Sequence, residues 1–315
     1  MKPAIRIGTR GSQLALWQAR WVGSAIQGIN PDVLIEIVMI KTKGDKILDT
    51  PLAKVGGKGL FVKEIEEALI GRRIDLAVHS LKDMPADIPF GLCIGPVPKR
   101  ENPNDVLISK SGLPLAQLPE GARIGTSSLR RAAQLLHQRP DIAILPLRGN
   151  LDTRLRKLET EALDAIVLAA AGLKRLALEN RITEYLEDAV MLPAVGQGAL
   201  CLELRKDDAR TAAAVAGLNH PETRTVVMGE RAFLNRLEGG CQVPIAARGK
   251  IKNDHFSIEG LVANLDGTVM VRDTLSGPSS ESEKTGIALA ERLLSLGAKV
   301  ILDKLKTNEP DNTQR

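Results

Sequence analysis

The chain has 315 residues, of which 43% are hydrophobic and 26% are charged. One compact core rarely organises so many residues, so the length predicts two or three packed domains, and the hydrophobic content excludes disorder over most of the chain. Lys and Arg outnumber Asp and Glu by 43 to 38, which gives a formal charge of +5. The location of this mild excess matters more than its size.

The basic excess is concentrated between Arg123 and Arg175, where ten basic residues, eight of them arginine, stand against five acidic residues. The planar guanidinium group binds carboxylates and phosphates through paired hydrogen bonds, so this segment predicts an anionic partner. Nucleic acid is the first alternative, but none of the seven aromatic residues lies in the segment to stack on bases. We therefore favour a small polyanion over a nucleic-acid strand.

The amino-terminal residues contain no apolar signal-peptide core, and the longest apolar run, residues 165–173, is too short to cross a bilayer. We expect a cytoplasmic protein that has no membrane association. The three cysteines, Cys93, Cys201 and Cys241, are widely spaced and predict neither a disulfide framework nor a metal site.

The first hundred residues alternate strand-like and helical patterns, which favours a mainly parallel sheet covered on both faces. Strands are predicted at 4–8, 33–40, 74–78 and 92–97, and helices at 12–26 and 60–70. Residues 98–105, P-K-R-E-N-P-N-D, predict a linker and a domain boundary, because prolines and short polar residues interrupt the pattern.

A second series of the same kind follows, and its opening, I-G-T-S-S, repeats the I-G-T-R-G-S of the first series. Strands are predicted at 123–126, 142–147 and 165–169, and helices at 127–138 and 151–158. Residues 192–204 are predicted to cross back. The order then changes to a helix at 222–237, strands at 243–251, 256–262 and 269–274, and a helix at 287–296 that Gly297 would cap.

These patterns predict two related α/β domains and a C-terminal α+β domain. The first domain is assigned to residues 1–99 and 200–217, the second to 100–199 and the third to 218–315.

Both I-G-T turns place hydroxyl groups and arginines at helix N-termini, where free amides and the helix dipole attract an anion. The residues concerned are Arg10, Ser12, Thr126, Ser128, Arg130 and Arg131. Ordinary helix capping by the hydroxyls is the alternative. If the two turns face one crevice, they form a two-sided anion cleft.

Further along, Arg148, Asn150 and Arg154 surround a predicted strand end, from which guanidinium groups can reach the same crevice. Solvated surface arginines are the alternative for any one of them.

The H-S-L-K-D-M-P segment follows a predicted strand and places Lys82 and Asp83 at its carboxyl end, where loops commonly carry chemistry. A carboxylate there can hold a developing cation or transfer a proton, although a turn aspartate is the alternative. His79 is predicted to be a hydrogen-bonded scaffold residue.

Residues 41–59 show no clear periodicity and predict a lid, or else a plain surface excursion. Cys93 and Cys201 lie in apolar strand patterns and are predicted to be inert. Cys241 lies in a glycine-rich turn, E-G-G-C-Q-V-P, where a positive cleft would favour its nucleophilic thiolate; an unreactive free thiol is the alternative.

Nine motifs occur in the order found in the porphobilinogen deaminase (hydroxymethylbilane synthase) family, which the sequence resembles over nearly its whole length. They are T-R-G-S-Q-L-A-L-W-Q, G-G-K-G-L-F, H-S-L-K-D-M-P, G-T-S-S-L-R-R, L-R-G-N, T-R-L-R-K-L, A-G-L-K-R-L, L-P-A-V-G-Q-G and L-E-G-G-C-Q-V-P. The resemblance implies two periplasmic-binding-protein-like (type II) α/β domains with a cleft between them, followed by a third domain that carries Cys241.

The resemblance also implies the activity. Cys241 would hold a dipyrromethane cofactor through a thioether, and the enzyme would add four porphobilinogen units with release of ammonia before water frees hydroxymethylbilane. Asp83 would be the catalytic residue that stabilises the cationic azafulvene formed when the amine leaves. The residues implied to bind cofactor or substrate are Arg10, Ser12, Lys58, Phe61, Ser80, Lys82, Thr126, Ser128, Arg130, Arg131, Arg148, Asn150, Arg154, Arg175 and Gln197.

The chain departs from the family in its linker, R-E-N-P-N-D, where Asn102 and Asn104 replace charged residues and put hinge contacts in doubt. Porphobilinogen is the expected partner, and we expect a monomer that binds neither nucleic acid nor metal. A non-catalytic carboxylate-binding protein and a nucleic-acid binder stay as competing hypotheses. Only the transferase needs a covalent primer on Cys241.

Overall fold

The computed structural model describes residues 4–46, 61–85, 87–238 and 243–307. Its strands are β1 (Ala4–Thr9), β2 (Leu34–Met39), β3 (Leu76–Ser80), β4 (Leu92–Ile94), β5 (Asp105–Ser109), β6 (Arg123–Gly125), β7 (Ala143–Leu145), β8 (Ala165–Ala169), β9 (Glu184–Tyr185), β10 (Leu200–Arg205), β11 (Ile245–Lys252), β12 (His255–Ala263) and β13 (Met270–Pro278). Its α-helices are α1 (Gln13–Ile29), α2 (Lys43–Lys46), α3 (Lys63–Ile70), α4 (Leu129–Gln138), α5 (Leu151–Thr160), α6 (Ala170–Arg175), α7 (Ala209–Val215), α8 (Pro221–Arg236), α9 (Ser282–Leu293) and α10 (Lys299–Thr307).

These residues divide into two compact units, the first comprising the described residues up to Glu101 together with 198–224. The first unit is built on a five-stranded sheet of order β2-β1-β3-β10-β4. Strand β1 pairs in parallel with β2 and β3, whereas β10 runs antiparallel to β3 and β4. Alternate side chains leave opposite faces of a strand, so Leu76 and Val78 of β3 join the core under α1 and Ala77 joins the core under α3.

The second unit comprises residues 102–197 and 225–307 and contains two sheets. The first is five-stranded, in the order β7-β6-β8-β5-β9; β6 is parallel to β7 and β8, and β5 is antiparallel to β8 and β9. The second is the antiparallel sheet β11-β12-β13, whose core includes Phe233 of α8, Leu289 of α9 and Ile301 of α10.

The two five-stranded sheets share one plan, in which three parallel strands are followed by an antiparallel strand and then an edge strand. The predicted fold class, two α/β domains and a C-terminal α+β domain, is confirmed. The glycine of each I-G-T turn is explained by packing, because a Cβ atom on Gly8 would lie 2.3 Å from Ile74 Cδ1 and one on Gly125 would lie 3.1 Å from Ile166 Cγ2. The predicted domain boundaries are not decided by the division into units and stay predictions.

Three fold-level predictions were wrong in detail. The sheets are mixed rather than mainly parallel, because β10 and β5 enter them from distant parts of the chain. The linker was predicted to extend to residue 105, but it ends at residue 104, because Asp105 is the first residue of strand β5. Gly297, with φ of +112°, separates α9 from a further helix, α10, that was not predicted.

Candidate active site

The predicted site residues of the first unit lie at one edge of its sheet. Arg10 and Ser12 follow the last residue of β1, Ser80 ends β3, and Lys82 and Asp83 form the single 3₁₀ turn that comes next. Because β1 and β3 are parallel, their carboxyl ends meet at the same edge. Loops at this edge of an α/β sheet are where ligands bind.

Asp83 is exposed and Lys82 is half-buried, whereas the preceding Leu81 is buried and fixes the turn to the sheet. The backbone amide of Leu81 donates to the carbonyl of Ala199 at 3.0 Å, and that of Met84 donates to the carbonyl of Leu81 at 3.1 Å. The turn thus holds the Asp83 carboxylate where a ligand can reach it.

Arg10 is held by two neighbours. Its guanidinium group donates to the carboxylate of Asp45, through Nε at 3.0 Å and through Nη2, and it lies 4.2 Å from the ring centroid of Phe61. Burial raises the pKa of Asp45, but the hydrogen bonds and charge of Arg10 outweigh this, and the pKa falls below its ordinary value. Phe61 therefore lies beside Arg10, and the substrate-binding role that the family resemblance implies for it stays a prediction.

The two serines of this edge make local hydrogen bonds. Oγ of Ser12 accepts from the backbone N–H of Ala15 at 3.3 Å and caps α1, and Oγ of Ser80 accepts from Nε2 of Gln18 at 3.1 Å. Capping, the alternative to ligand binding at Ser12, therefore has a geometric basis, and the binding role of both serines stays a prediction.

In the second unit the predicted residues also gather at one sheet edge. Thr126 and Ser128 follow β6, Arg148 follows β7, and Arg175 ends the helix α6 that follows β8. Strand β5 runs antiparallel to β8 and pairs its first residue, Asp105, with Ala169 at the end of β8. An acidic side chain thereby enters the edge that bears the arginines.

Asp105 is fully buried and binds two arginines that are themselves buried, Arg130 and Arg131. Its Oδ2 accepts from Arg130 Nη1 at 2.7 Å, and its Oδ1 accepts from Arg131 Nε at 2.9 Å and Nη2 at 2.7 Å. Gln197 Nε2 donates to Asp105 Oδ1 at 3.1 Å and to the carbonyl of Pro103 at 2.6 Å. The predicted site residues Arg130, Arg131 and Gln197 are thus joined through the Asp105 carboxylate, and Asp105 was not predicted as a site residue.

One carboxylate in this cluster serves two guanidinium groups, so the trio of Asp105, Arg130 and Arg131 carries an excess of one positive charge. Burial lowers the pKa of Arg130, the charge of Asp105 opposes this, and the neighbouring Arg131 adds to it. A buried positive excess is stabilised by an anion, so the cluster is suited to a carboxylate ligand.

The signal that identifies Asp105 was present in the sequence. It opens the apolar strand D-V-L-I-S, and a carboxylate in a buried strand requires a cationic partner.

The helix N-termini of this edge differ in how they are capped. Ser128 occupies the N-cap position of α4 without a capping hydrogen bond from its side chain, and its own amide donates to Thr126 Oγ1 at 3.1 Å. Asn150 caps α5, since its Oδ1 accepts from the amide of Thr153 at 2.9 Å. The hydroxyl of Ser128 therefore does not compete for its helix amides, which favours an anion at that end of α4.

Arg148, Arg154 and Arg175 are half-buried side chains at the same edge. Arg154 Nε donates to the carbonyl of Gly149 at 2.9 Å. Gly149 has a φ of +118°, and a Cβ atom there would lie 2.5 Å from Thr153 Cγ2, so the R-G-N turn requires glycine.

Asn102 and Asn104, the residues at which the linker departs from the family, both take part in hydrogen bonds. The backbone amide of Asn104 donates to Asn102 Oδ1 at 2.9 Å, and its side chain donates to the carbonyl of Leu186 at 2.9 Å and accepts from Arg248 Nη1 at 2.8 Å. Neutral amides thus donate and accept hydrogen bonds within the second unit, and the expectation about hinge contacts stays a prediction.

Two predicted site residues, Lys58 and Cys241, lie outside the described residues, as does much of the predicted lid at 41–59. Of the other cysteines, Cys201 is buried and Cys93 is half-buried, and burial raises the pKa of the Cys93 thiol. Both thus lie in strands as predicted, in environments that disfavour the reactive thiolate.

Within the described ranges, no helix is both long and apolar enough to cross a membrane. Across these same residues, His, Cys, Asp and Glu side chains do not gather in groups of three that could hold a metal ion.

Two family models match the chain. Residues 5–213 match "porphobilinogen deaminase, dipyromethane cofactor binding domain", and residues 224–295 match "porphobilinogen deaminase, C-terminal domain". Among curated relatives, the porphobilinogen deaminase of Syntrophotalea carbinolica is 57% identical over 96% of this chain and 96% of its own length. That of Geobacter metallireducens is 55% identical over 97% and 96%, and that of Desulforamulus reducens is 52% identical over 98% and 100%.

Similar solved structures include the methionine-binding protein MetQ, at 14% identity and a TM-score of 0.42, covering 70% of this chain and 92% of that one. The periplasmic aliphatic sulphonate binding protein SsuA from Escherichia coli is 14% identical with a TM-score of 0.39, covering 98% and 80%. These values are too low to support any statement about a ligand. The sequence matches, in contrast, extend over nearly the whole chain, and the chain belongs to the porphobilinogen deaminase family.

Proposed function

We propose that this chain is the transferase that joins four porphobilinogen molecules head to tail on a dipyrromethane primer, releases ammonia at each addition and hydrolyses the product to hydroxymethylbilane. The observation that carries the proposal is the family match, because its amino-terminal model is named for the dipyromethane cofactor and includes both sheet edges.

The donor groups of the second unit fit such a cofactor. Dipyrromethane bears acetate and propionate groups, and the cluster of Arg130 and Arg131 on the single carboxylate of Asp105 retains an excess of one positive charge for them. When bound, the cofactor supplies the pyrrole carbon to which the first substrate is joined. The half-buried Arg148, Arg154 and Arg175 bind further carboxylates of the lengthening chain.

Asp83 performs the central electrostatic step. Its exposed carboxylate lies on a turn that is fixed by the buried Leu81, so it meets the substrate without a costly rearrangement. The carboxylate stabilises the positive charge that develops on the substrate as ammonia leaves. Lys82 and Arg10, at the same edge, bind the carboxylates of that substrate.

Cys241 is the attachment point. We assign it from the family motif L-E-G-G-C-Q-V-P, and its sulfur bonds to a pyrrole methylene carbon of the primer as a thioether. The protein works as a cytoplasmic monomer that requires no metal.

Intact-mass measurement tests the proposal. The purified protein is expected to be heavier than its sequence by one dipyrromethane group, Cys241→Ser is expected to have the bare mass, and the control Cys93→Ser is expected to keep the added mass. A bare wild-type mass after incubation with porphobilinogen, with no pyrrole colour from an aldehyde reagent, contradicts the proposal.

The competing hypotheses receive no support from the comparisons. A non-catalytic carboxylate-binding protein would carry no adduct, and a nucleic-acid binder would show tight binding to single-stranded DNA that falls steeply with salt. Either result would replace the transferase proposal.

A further inference from the structure

A second group of titratable side chains lies where helix α3 packs on strands β3 and β10. Glu66 on α3, His79 on β3 and Glu203 on β10 are 7%, 6% and 0% exposed. Nε2 of His79 donates to Oε2 of Glu203 at 3.0 Å. His79 is thus the hydrogen-bonded scaffold residue that the sequence predicted, but the two glutamates were not foreseen.

The two carboxyl groups of this cluster are incompletely paired. Among the described side chains, Oε1 of Glu66 and Oε1 of Glu203 are buried polar atoms that have no hydrogen-bond partner. Two ionised carboxylates that face at most one positive imidazole are costly in a buried layer. The state of lower free energy is the one in which one of the two carboxyl groups keeps its proton.

Glu66 is the group that keeps it. The pKa of Glu66 is raised to about 7, chiefly by burial; the charge of Glu203 and, to a smaller extent, that of Glu67 add to this rise, and His79 opposes it. In the unfolded chain the pKa of this carboxyl group has its ordinary value of 4.5. The folded protein therefore holds one proton more than the unfolded chain between these two values.

The guanidinium group of Arg205 on β10 makes most of its hydrogen bonds outside the group of Glu66, His79 and Glu203. Its Nη1 donates to the carbonyls of Leu69 and Ile74 and its Nη2 donates to Asp75 and Asp208, whereas its Nε is buried without a hydrogen-bond partner among the described residues. The titratable and charged groups that the elements around α3 contribute are Arg6 on β1, Asp75 just before β3, Cys93 on β4, Arg205 on β10, and Lys63, Glu64 and Glu67 on α3 itself.

The position of the cluster connects it with the candidate active site. His79 is four residues before Asp83 and next to Ser80, at the carboxyl end of β3. Helix α3, which carries Glu66, begins two residues after Phe61, the ring that contacts Arg10. A change in the packing of α3 on β3 would therefore affect both the turn that carries Asp83 and the contact between Phe61 and Arg10.

We propose that Glu66 is a positioning residue that keeps its proton in the working enzyme, and that loss of this proton loosens α3 from β3 and displaces the turn after β3 that carries Asp83. The catalytic part of this inference rests on the proposed role of Asp83. The stability part does not.

The sign of the effect follows from the raised pKa. The stabilising contribution of neutral Glu66 is complete below the unfolded value of 4.5 and is lost as the pH rises through about 7. Glu66→Gln mimics the neutral form, so its stability should not fall in this way. Glu36→Gln is the matched control, because Glu36 is an exposed glutamate on β2 of the same sheet.

The experiment measures Tm and kcat of the cofactor-loaded enzyme between about pH 5 and about pH 9. Relative to the wild type, Glu66→Gln should raise Tm by about 3 °C or more near pH 8 and by much less near pH 5. It should also move the alkaline fall in kcat to higher pH, whereas Glu36→Gln should follow the wild type in both the Tm profile and the kcat profile.

Three results would overturn the inference. One is an equal Tm change at all pH values in Glu66→Gln, which is the behaviour of a purely structural side chain. Another is an altered Tm profile with an unchanged kcat profile. The third concerns Glu203→Gln, which is the second variant if Glu66→Gln does not fold. Removal of the charge of Glu203 should lower the pKa of Glu66 and so shift the Tm profile to lower pH. An unshifted Tm profile in Glu203→Gln would contradict the inference. Failure of the proposed function would instead appear as a wild type without the primer adduct.

Discussion

The two sheet edges that carry the predicted site residues are built on one topological plan but differ in how their charges are held. At the first edge, the Asp83 carboxylate is exposed on a short turn, and the guanidinium group of Arg10 is half-buried. At the second edge, Arg130 and Arg131 are buried and fixed by the buried Asp105. The first edge is suited to chemistry on an incoming substrate, and the second to holding an anion in a fixed place.

The difference shows that two sheets of the same topology can hold charges differently, depending on which residues their antiparallel strand brings to the sheet. In the second sheet, β5 begins with Asp105 at the edge that carries the predicted site residues, so a carboxylate is available to fix arginines. In the first sheet, the antiparallel strand β10 pairs with β3 through apolar residues and Glu203, which lies under α3 instead. Acidic side chains on equivalent strands therefore support different layers.

The largest expected effect is at the exposed carboxylate of the first edge. Asp83→Asn should lower kcat by about 10²-fold or more, because the charge that stabilises the developing cation is lost. The primer should stay attached, since its cysteine is unchanged. Steady-state rates and pyrrole colour measure the two quantities, and Asp87→Asn, an exposed residue of the same segment, is the control. Near-normal turnover in Asp83→Asn would remove the distinction between the edges.

The next effect is on stability, at the second edge. Asp105→Asn leaves Arg130 and Arg131 buried without a counter-charge and should lower the free energy of unfolding by about 3–5 kcal/mol. Asp164→Asn breaks a comparable pair with Arg123 near the surface and should cost much less. Chemical denaturation of the two variants makes the comparison. Equal losses would show that burial of the Asp105 cluster has no special importance.

A smaller effect is expected at the half-buried arginines. Arg154→Gln should raise the KM for porphobilinogen about tenfold, since one charged hydrogen bond to a carboxylate is worth about 1.5 kcal/mol or more. Arg156→Gln, two residues further along α5 and exposed, should leave KM unchanged. If both variants behave alike, Arg154 is a surface arginine, which is the alternative that the sequence left open.

The smallest effect is expected at Ser12. Removal of its helix cap by Ser12→Ala should lower the free energy of unfolding by about 1 kcal/mol with little change in rate, while the exposed Ser24→Ala on the same helix should change neither. A marked fall in kcat with unchanged stability would instead place Ser12 among the ligand-binding residues.

Much of the fold could be predicted from the sequence, because its elements are defined by local patterns. The apolar runs at β1 and β8 and the helical spacing of α1 and α5 each depend on residues close together in the chain. The antiparallel strands β5 and β10 could not be placed in this way. Their neighbours in the sheets are distant in sequence, and an apolar run gives no sign of its partner or direction.

The site was predictable to the extent that motifs carried it, and less so where burial decides the chemistry. Arginines after a strand indicate an anion, but the sequence did not reveal that Arg130 and Arg131 are buried or that Asp105 joins them to Gln197. The same applies to Glu66 and Glu203, which resemble ordinary surface glutamates until the packing of α3 is known. Long-range pairing of buried charges is the information that local patterns lack.

The central claim is that a growing acidic chain is tethered to Cys241 while Asp83 promotes each addition. The most direct test is the intact mass of the wild type and of Asp83→Asn after brief incubation with porphobilinogen. The account predicts a ladder of successive pyrrole additions on the wild type and the primer alone on the variant. An identical ladder on both proteins, or additions that survive in Cys241→Ser, would contradict it.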